Sequence, residues 1–281
     1  MSRDPQEIVD RAEEYYDSCE ADEFYFNIWG GEDIHIGLYE TPTDDIATAS
    51  QRTVHKLADR LSLHPGRRVL DLGAGYGGAA RYLARTFGAH VTALNLSRTQ
   101  NRRNQQLCAD QQLSGLVQVV DGNFEELPFE ADGFDAVWSQ DSLLHSARRE
   151  RVLQEAHRVL RPGGELLFTD PMQAERVPAG ALQPVYDRIN LDSLGSIGDY
   201  RAMASRIGFQ ENGIEVLTDH LRWHYSRVAD ELHHRYDEMC RRASKDYVDR
   251  MLEGLRHWVE ATAAGHLTWG ILHFRKHPAG A

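Results

Sequence analysis

The sequence has few cysteines and almost no lysine. Its 281 residues include three cysteines, Cys19, Cys108 and Cys240, which are far apart and odd in number. This pattern predicts neither a disulfide framework nor a zinc site, so we expect ordinary thiols and no bound metal. Only three of the 31 basic residues are lysines. A salt-adapted cytoplasm and a GC-rich genome would each explain the excess of arginine.

The sequence also lacks long apolar runs and an excess of positive charge. No run approaches the roughly 20 apolar residues that a membrane-spanning helix needs. Residues 1–10 are polar and acidic, unlike a signal peptide, and we expect a cytoplasmic protein with no membrane anchor. The formal net charge of −12 disfavours a nucleic-acid partner, because an acidic surface repels phosphate backbones. We expect a small-molecule partner, and the sequence leaves the oligomeric state open.

Short apolar strands alternate with helices through the middle of the chain. Strands are predicted at 68–72, 90–96, 117–120, 134–138, 165–169, 213–217 and 266–274. Helices are predicted at 5–18, 44–61, 79–87, 98–112, 149–160 and 200–207, and residues 222–262 are mostly helical. Apolar strands that alternate with helices indicate an α/β fold, with a parallel sheet covered on both faces.

A glycine-rich turn follows the first predicted strand. In the stretch 69–78, Gly73, Gly75 and Gly78 have the spacing of a dinucleotide-binding loop, and Asp71 precedes them. Glycine lets the backbone turn sharply and approach a ligand closely. Taken alone, this turn fits a nicotinamide enzyme, a methyltransferase or a tight turn that binds nothing.

A second turn separates these alternatives. The stretch that begins at Asp71 resembles the Asp-x-Gly-x-Gly-x-Gly form found in methyltransferases. Residues 158–166 resemble the Leu-Arg-Pro-Gly-Gly turn that precedes the fifth strand of class I S-adenosylmethionine-dependent methyltransferases. The resemblance implies a Rossmann-like, doubly wound sheet of seven mostly parallel strands with an antiparallel last strand. It also implies S-adenosyl-L-methionine as the cofactor.

We predict a single domain over residues 1–281 that has three parts. An N-terminal helical cap covers 1–62, and the nucleoside-binding core covers 63–175. Residues 176–281 complete the sheet and carry a helical lid at about 221–262.

The resemblance also assigns cofactor contacts. Asn95 stands where the family usually has an acid for the ribose hydroxyls, so this contact would lack a charge-assisted hydrogen bond. Asp121 or Asn123 would meet the adenine amino group, and Phe124 either packs on the ring or belongs to the core. The full predicted set is Asp71, Gly73, Ala74, Gly75, Asn95, Leu96, Gln100, Asp121, Asn123, Phe124 and Gln140.

Segments outside these motifs resemble a narrower family. Residues 28–39, 138–146, 169–174 and 266–276 look like the sarcosine/dimethylglycine N-methyltransferases. That family methylates sarcosine and dimethylglycine to glycine betaine, an osmolyte. The resemblance therefore implies the same N-methylation here.

The reaction places demands on the acceptor site. The amine must be unprotonated, although alkylammonium groups titrate near ~10, as lysine does. Positive charge then develops on nitrogen, and aromatic faces stabilise such a cation. The acceptor carboxylate favours a guanidinium, which can bind both of its oxygens.

Candidate acceptor residues follow from these demands and from the family segments. We predict catalytic roles for His145 and Gln140. Substrate contacts are predicted for Tyr25, Trp29, His145, Met172, Arg222 and Tyr225, with Tyr16 and Trp223 as further aromatics and Arg188 and Arg227 as further guanidiniums. The alternatives are a methyltransferase for another small amine such as a phosphoethanolamine, a nicotinamide oxidoreductase, and a nucleoside-binding module without activity.

Overall fold

One mixed sheet organises the chain. The structure is a computed structural model and describes residues 5–189 and 191–278. The strand order is β3-β2-β1-β4-β5-β7-β6. The strands are β1 Arg68–Leu72, β2 His90–Asn95, β3 Val117–Asp121, β4 Phe134–Gln140, β5 Leu160–Gln173, β6 Phe209–Val216 and β7 Leu267–Lys276.

Helices cover both faces of this sheet. They are α1 Pro5–Asp17, α2 Cys19–Phe24, α3 Ile46–Ala58, α4 Gly78–Phe87, α5 Arg98–Asp110, α6 Arg149–Val159, α7 Gln183–Ile189, α8 Ile197–Ile207, α9 Thr218–His234, α10 Tyr236–Arg242 and α11 Lys245–Ala263. A π-helical turn spans Tyr25–Trp29 and a 3-10 turn spans Leu143–His145. Among the described residues, no helix is long and apolar enough to cross a bilayer.

The predicted fold class is confirmed. Strands β1 to β5 run parallel, and β7 pairs antiparallel with both β5 and β6. Because β7 inserts between them, the last strand in sequence lies inside the sheet. Its central residues are buried, which explains the run of apolar residues there.

Several elements differ from the prediction; for example, β6 begins at Phe209 and not at 213. Strand β5 is longer than 165–169, since pairing with β4 begins at Leu160 and resumes at Glu165 after an irregularity that accommodates the Pro162-Gly163-Gly164 turn. The stretch 222–262 is divided into α9, α10 and α11. Helices α9 and α11, which make up most of the predicted lid, pack on each other and on β7.

The glycine-rich turn joins β1 to α4 and is held by buried polar contacts. Gly77 has φ +75°, and a Cβ there would overlap the side chain of Asn104. Arg81, which is almost completely buried, donates hydrogen bonds to the carbonyl oxygen of Tyr76 and to Asn104 Oδ1. The sequence therefore needs glycine at position 77 both for its backbone conformation and for space.

Substitution of Gly77 by alanine tests this close contact. A left-handed backbone costs an alanine about 1–2 kcal/mol, and displacement of Asn104 adds about 1–3 kcal/mol. Gly66→Ala is the matched control, because Gly66 has φ +85° with no neighbouring atom within 4 Å. Urea denaturation is expected to show a larger loss of unfolding free energy for Gly77→Ala. Equal losses would contradict the packing argument.

Candidate active site

The first cavity opens at the carboxyl ends of β1, β2 and β4, where open α/β sheets bind ligands. Its volume is about 100 Å³. The predicted cofactor residues that line it are Gly73, Gly75, Asn95, Leu96, Gln100, Asn123, Phe124 and Gln140. We refer to it as the cofactor cavity.

The glycine loop forms the floor of the cofactor cavity. A Cβ on Gly73, which has φ +73°, would overlap Ser142, whose hydroxyl donates to the Gly73 carbonyl oxygen at 3.2 Å. Nearby, Gln140 Oε1 accepts from the indole of Trp138 at 3.1 Å. Gln140 Nε2 is buried and finds no acceptor among the described residues. A donor in this state fits a ligand oxygen, as the predicted cofactor would supply.

Uncharged amides occupy the expected ribose end. Asn95 Nδ2 donates to Gln100 Oε1 at 3.0 Å, and both side chains line the cavity. Where the family pattern has an acid, this chain therefore presents a hydrogen-bonded amide pair to the cavity. At the adenine end the structure favours Asn123 and Phe124, because both line the cavity. Asp121 is exposed, accepts from Asn101 Nδ2 at 2.6 Å and does not line the cavity.

A polar recess lies behind the glycine loop. Its lining includes Asp33, His35, Asp71, Ala74 and Gln140, so it holds the two remaining loop residues of the predicted set. Burial raises the pKa of Asp71 to about 7. Burial lowers the pKa of His35, but the Asp33 carboxylate, 3.8 Å away, outweighs this effect and raises it. The recess therefore places a buried carboxyl group, Asp71, and a buried imidazole, His35, beside the glycine loop.

The second cavity, which we call the acceptor cavity, has a volume of about 80 Å³ and aromatic walls. Tyr25 and Trp29 from the π-helical turn lie with their ring centroids 5.3 Å apart, and Trp29 meets Tyr225 of α9 edge-on at 5.4 Å. Tyr225 stacks on Trp258 of α11 at 4.8 Å. The predicted aromatics Tyr25, Trp29 and Tyr225 thus meet at one site.

His145 and Tyr16 form a pair between the cavities. The Tyr16 hydroxyl and His145 Nε2 are 2.9 Å apart. Burial, with a smaller contribution from Arg188, lowers the pKa of His145 to about 4, so its imidazole is neutral at ordinary pH. Asp170 fixes the 3-10 turn that carries His145, because its carboxylate accepts from the Leu144 amide at 3.0 Å. The predicted His145 is therefore a neutral hydrogen-bonding group.

Arg188 brings a cation into the acceptor cavity. It lies on α7, and its side chain runs over Gly254 of α11, where a Cβ would overlap it. Three buried N–H donors of this lining, Arg188 Nε, Trp29 Nε1 and Trp258 Nε1, find no acceptor within residues 5–189 and 191–278. Buried donors without acceptors are costly, so this cluster fits an anionic ligand group.

Asp141 lies between the two cavities and lines both. Its carboxylate accepts from the Ile36 amide at 2.6 Å and from the Trp269 indole at 2.7 Å. Burial raises the pKa of Asp141, whereas these donors and the nearby His35 oppose that rise. Its backbone has φ +51°, an uncommon conformation for a residue with a side chain. Asp141 is not among the site residues predicted from the sequence, although it directly follows the predicted Gln140.

Two predicted substrate contacts lie elsewhere. Met172 on β5 is completely buried in the core beside Phe168 and Leu272, because its side chain points to the sheet face away from the cavities. Arg222 is exposed on α9 and lines neither cavity. Arg227 pairs with Asp230 at 3.6 Å. Of the arginines considered from the sequence, Arg222, Arg227 and Arg188, the one that lines the acceptor cavity is Arg188. No group of three or more metal-ligating side chains is found in the described part of the chain.

Comparison with known proteins agrees with this arrangement. Residues 70–168 match the methyltransferase domain family. The chain is 50% identical over 270 residues to a sarcosine/dimethylglycine N-methyltransferase of Aphanothece halophytica, covering 96% of this chain and 98% of that protein. It is 51% identical over 267 residues to a glycine/sarcosine/dimethylglycine N-methyltransferase of Actinopolyspora halophila, covering 95% of this chain and 47% of that protein.

A solved structure extends the likeness to three dimensions. It comes from Galdieria sulphuraria, and its assignment as a sarcosine dimethylglycine methyltransferase is provisional. The TM-score is 0.89 at 43% identity, covering 94% of this chain and 99% of that chain. The chain therefore belongs to the family of sarcosine/dimethylglycine N-methyltransferases.

Proposed function

We propose that the protein transfers a methyl group from S-adenosylmethionine to the nitrogen of dimethylglycine, and of sarcosine, to make glycine betaine. The observation that carries this proposal is the acceptor cavity. It combines a half-buried guanidinium, Arg188, with aromatic faces and meets the cofactor cavity at Tyr16, His145 and Asp141. A small amino acid with a methylated nitrogen has matching groups at its two ends.

The protein's own residues position the acceptor. S-adenosylmethionine supplies an electrophilic methyl group on a sulfonium when bound. Arg188 would hold the acceptor carboxylate and so turn the nitrogen toward the junction, where it forms the new N–C bond as the methyl–sulfur bond breaks. Alignment of this kind supplies much of the rate of an in-line displacement. Positive charge passes to the acceptor nitrogen, beside the Asp141 carboxylate and the faces of Tyr16 and Tyr25.

The acceptor reacts as the uncharged amine. His145 is a poor base because of its lowered pKa, so we infer that the site binds the amine that has already lost its proton to solvent. Neutral His145 and Tyr16 would then orient the nitrogen by hydrogen bonding and dipoles. We also propose a cytoplasmic location, which the free thiols of Cys19, Cys108 and Cys240 support.

Production of S-adenosylhomocysteine tests the function. Glycine, sarcosine, dimethylglycine and phosphoethanolamine are offered separately, and products are identified by mass spectrometry. We expect turnover with dimethylglycine and sarcosine, with betaine as the product of dimethylglycine. Turnover with phosphoethanolamine alone would support the alternative acceptor. Binding of S-adenosylmethionine without turnover of any amine would contradict both.

Substitution of Arg188 by lysine tests the carboxylate site. Lysine keeps the charge but cannot bind both carboxylate oxygens in a planar fork. We expect kcat/KM for dimethylglycine to fall by about 30-fold or more, with the Kd for S-adenosylhomocysteine unchanged. Arg222→Ala is the comparison variant, and it is expected to behave like the wild type. A loss of activity in Arg222→Ala, with Arg188→Lys unaffected, would instead show that Arg222 binds the acceptor carboxylate.

The pH dependence tests the role of His145. Above pH about 4 its imidazole is neutral, so raising the pH from 6 to 9 does not change its charge. We expect kcat/KM for dimethylglycine to rise with the free-amine fraction over this range, by up to about tenfold per pH unit, and the titration of Asp71 near pH 7 to affect the wild type and the variant alike. His145→Gln is expected to lower the values without changing the slope. A wild-type inflection between pH 6 and 7 that disappears in this variant would show that His145 acts as a base.

A further inference from the structure

Six residues line both the cofactor cavity and the acceptor cavity, and we call them the junction. They are Ala12, Tyr16, Tyr25, Ile34, Asp141 and His145. A methyl group that passes between the two ligands must move through this set. The junction therefore surrounds the acceptor nitrogen during transfer.

The junction contains two chemically different sets of side chains. Tyr16, His145 and Asp141 present oxygen or nitrogen atoms that can accept a hydrogen bond from an N–H group. Ala12 and Ile34 present only aliphatic carbon. An acceptor nitrogen with hydrogen substituents would find partners in the first set, whereas an N-methyl group there would exclude water from these polar atoms without giving them a partner. Ala12 and Ile34 can contact N-methyl groups without that cost.

Geometry directs the nitrogen substituents to these walls. In an in-line displacement the nitrogen lone pair points along the axis of the breaking bond. Its remaining substituents therefore spread sideways and back into the acceptor cavity. If Arg188 holds the carboxylate arm, the other two substituents of dimethylglycine, both methyl groups, must meet the junction walls. In sarcosine one of these positions is a hydrogen.

Both aliphatic residues are held firmly. Asp17 at the end of α1 accepts from Ser97 Oγ at 2.6 Å and from the Thr99 amide at 3.0 Å, which fixes this helix over the cavities. Ala12 lies one turn before Tyr16, so the two share a helix face. Ile34 packs against the glycine loop: its Cδ1 is only 3.2 Å from the position that a Cβ of Gly75 would take.

We propose that Ala12 and Ile34 determine substrate specificity by forming an aliphatic seat for N-methyl groups. The inference rests on the proposed function and deepens it. The small side chain of Ala12 leaves the width that a second N-methyl group needs, and Ile34 supplies the opposing apolar surface. The seat thereby sets the preference of the enzyme for the tertiary amine over the secondary and primary amines.

The test compares dimethylglycine with sarcosine in Ala12→Val and Ile34→Val. Valine at position 12 fills the seat, and we expect the ratio of kcat/KM for dimethylglycine to that for sarcosine to fall at least about tenfold. Ile34→Val removes one methylene from the seat, and the same ratio is expected to fall about fourfold. Thermal unfolding checks that both variants remain folded.

Val9→Ala is the matched control. Val9 is on the same helix as Ala12 but lines the cofactor cavity only. We expect this variant to lower kcat/KM for both acceptors by the same factor. An unchanged acceptor ratio in Ala12→Val and Ile34→Val, or an equal change of the ratio in Val9→Ala, would overturn the proposal.

Binding separates this inference from the proposed function. Isothermal calorimetry in the presence of S-adenosylhomocysteine gives Kd values for dimethylglycine and sarcosine without turnover. If the wild type lacks activity but the two substitutions shift the Kd ratio as expected, the proposed reaction fails and the seat stands. If the wild type is active while neither the Kd ratio nor the kcat/KM ratio shifts, the seat fails and the reaction stands.

Discussion

The half-buried carboxyl group of Asp141 connects the N-terminal segment and the last strand to the edge of the sheet where both cavities lie. One oxygen binds the Ile36 amide, from the segment that leads from the aromatic π-helical turn to α3. The other binds the indole of Trp269 on β7. Asp141 itself follows β4 in a left-handed conformation. These two hydrogen bonds tie the N-terminal segment and the inserted last strand to the carboxyl edge of the sheet, where both cavities lie.

The same arrangement separates two kinds of chemistry. Amides, glycines and the side chain of Glu125 line the cofactor cavity, whereas the acceptor cavity has aromatic rings and the guanidinium of Arg188. The carboxyl group of Asp141 lines both cavities, where the proposed reaction moves positive charge from sulfur to nitrogen. In that proposal the protein excludes water, fixes the acceptor and stabilises a cation, and the few side chains at the junction determine specificity.

Local sequence patterns predicted the sheet and the cofactor cavity well. Strand-turn-helix units place Gly73, Asn95 and Gln140 at successive strand ends, so spacing along the chain translates into proximity. The acceptor cavity was harder, because it is assembled from α1, the π-helical turn, α7, α9 and α11. Arg188 was one guanidinium among 28, and its place in the lining of the acceptor cavity is visible only in the structure. Because side chains alternate along β5, Pro171 lines the acceptor cavity and Met172 points to the core on the other face of the sheet.

A crystal structure with S-adenosylhomocysteine and dimethylglycine would show how the acceptor binds. We expect the acceptor carboxylate within hydrogen-bond distance of Arg188, and the nitrogen at the junction beside Tyr16, His145 and Asp141. The two N-methyl groups would then face Ala12 and Ile34. A carboxylate bound away from Arg188, with the nitrogen outside the junction, would contradict the account.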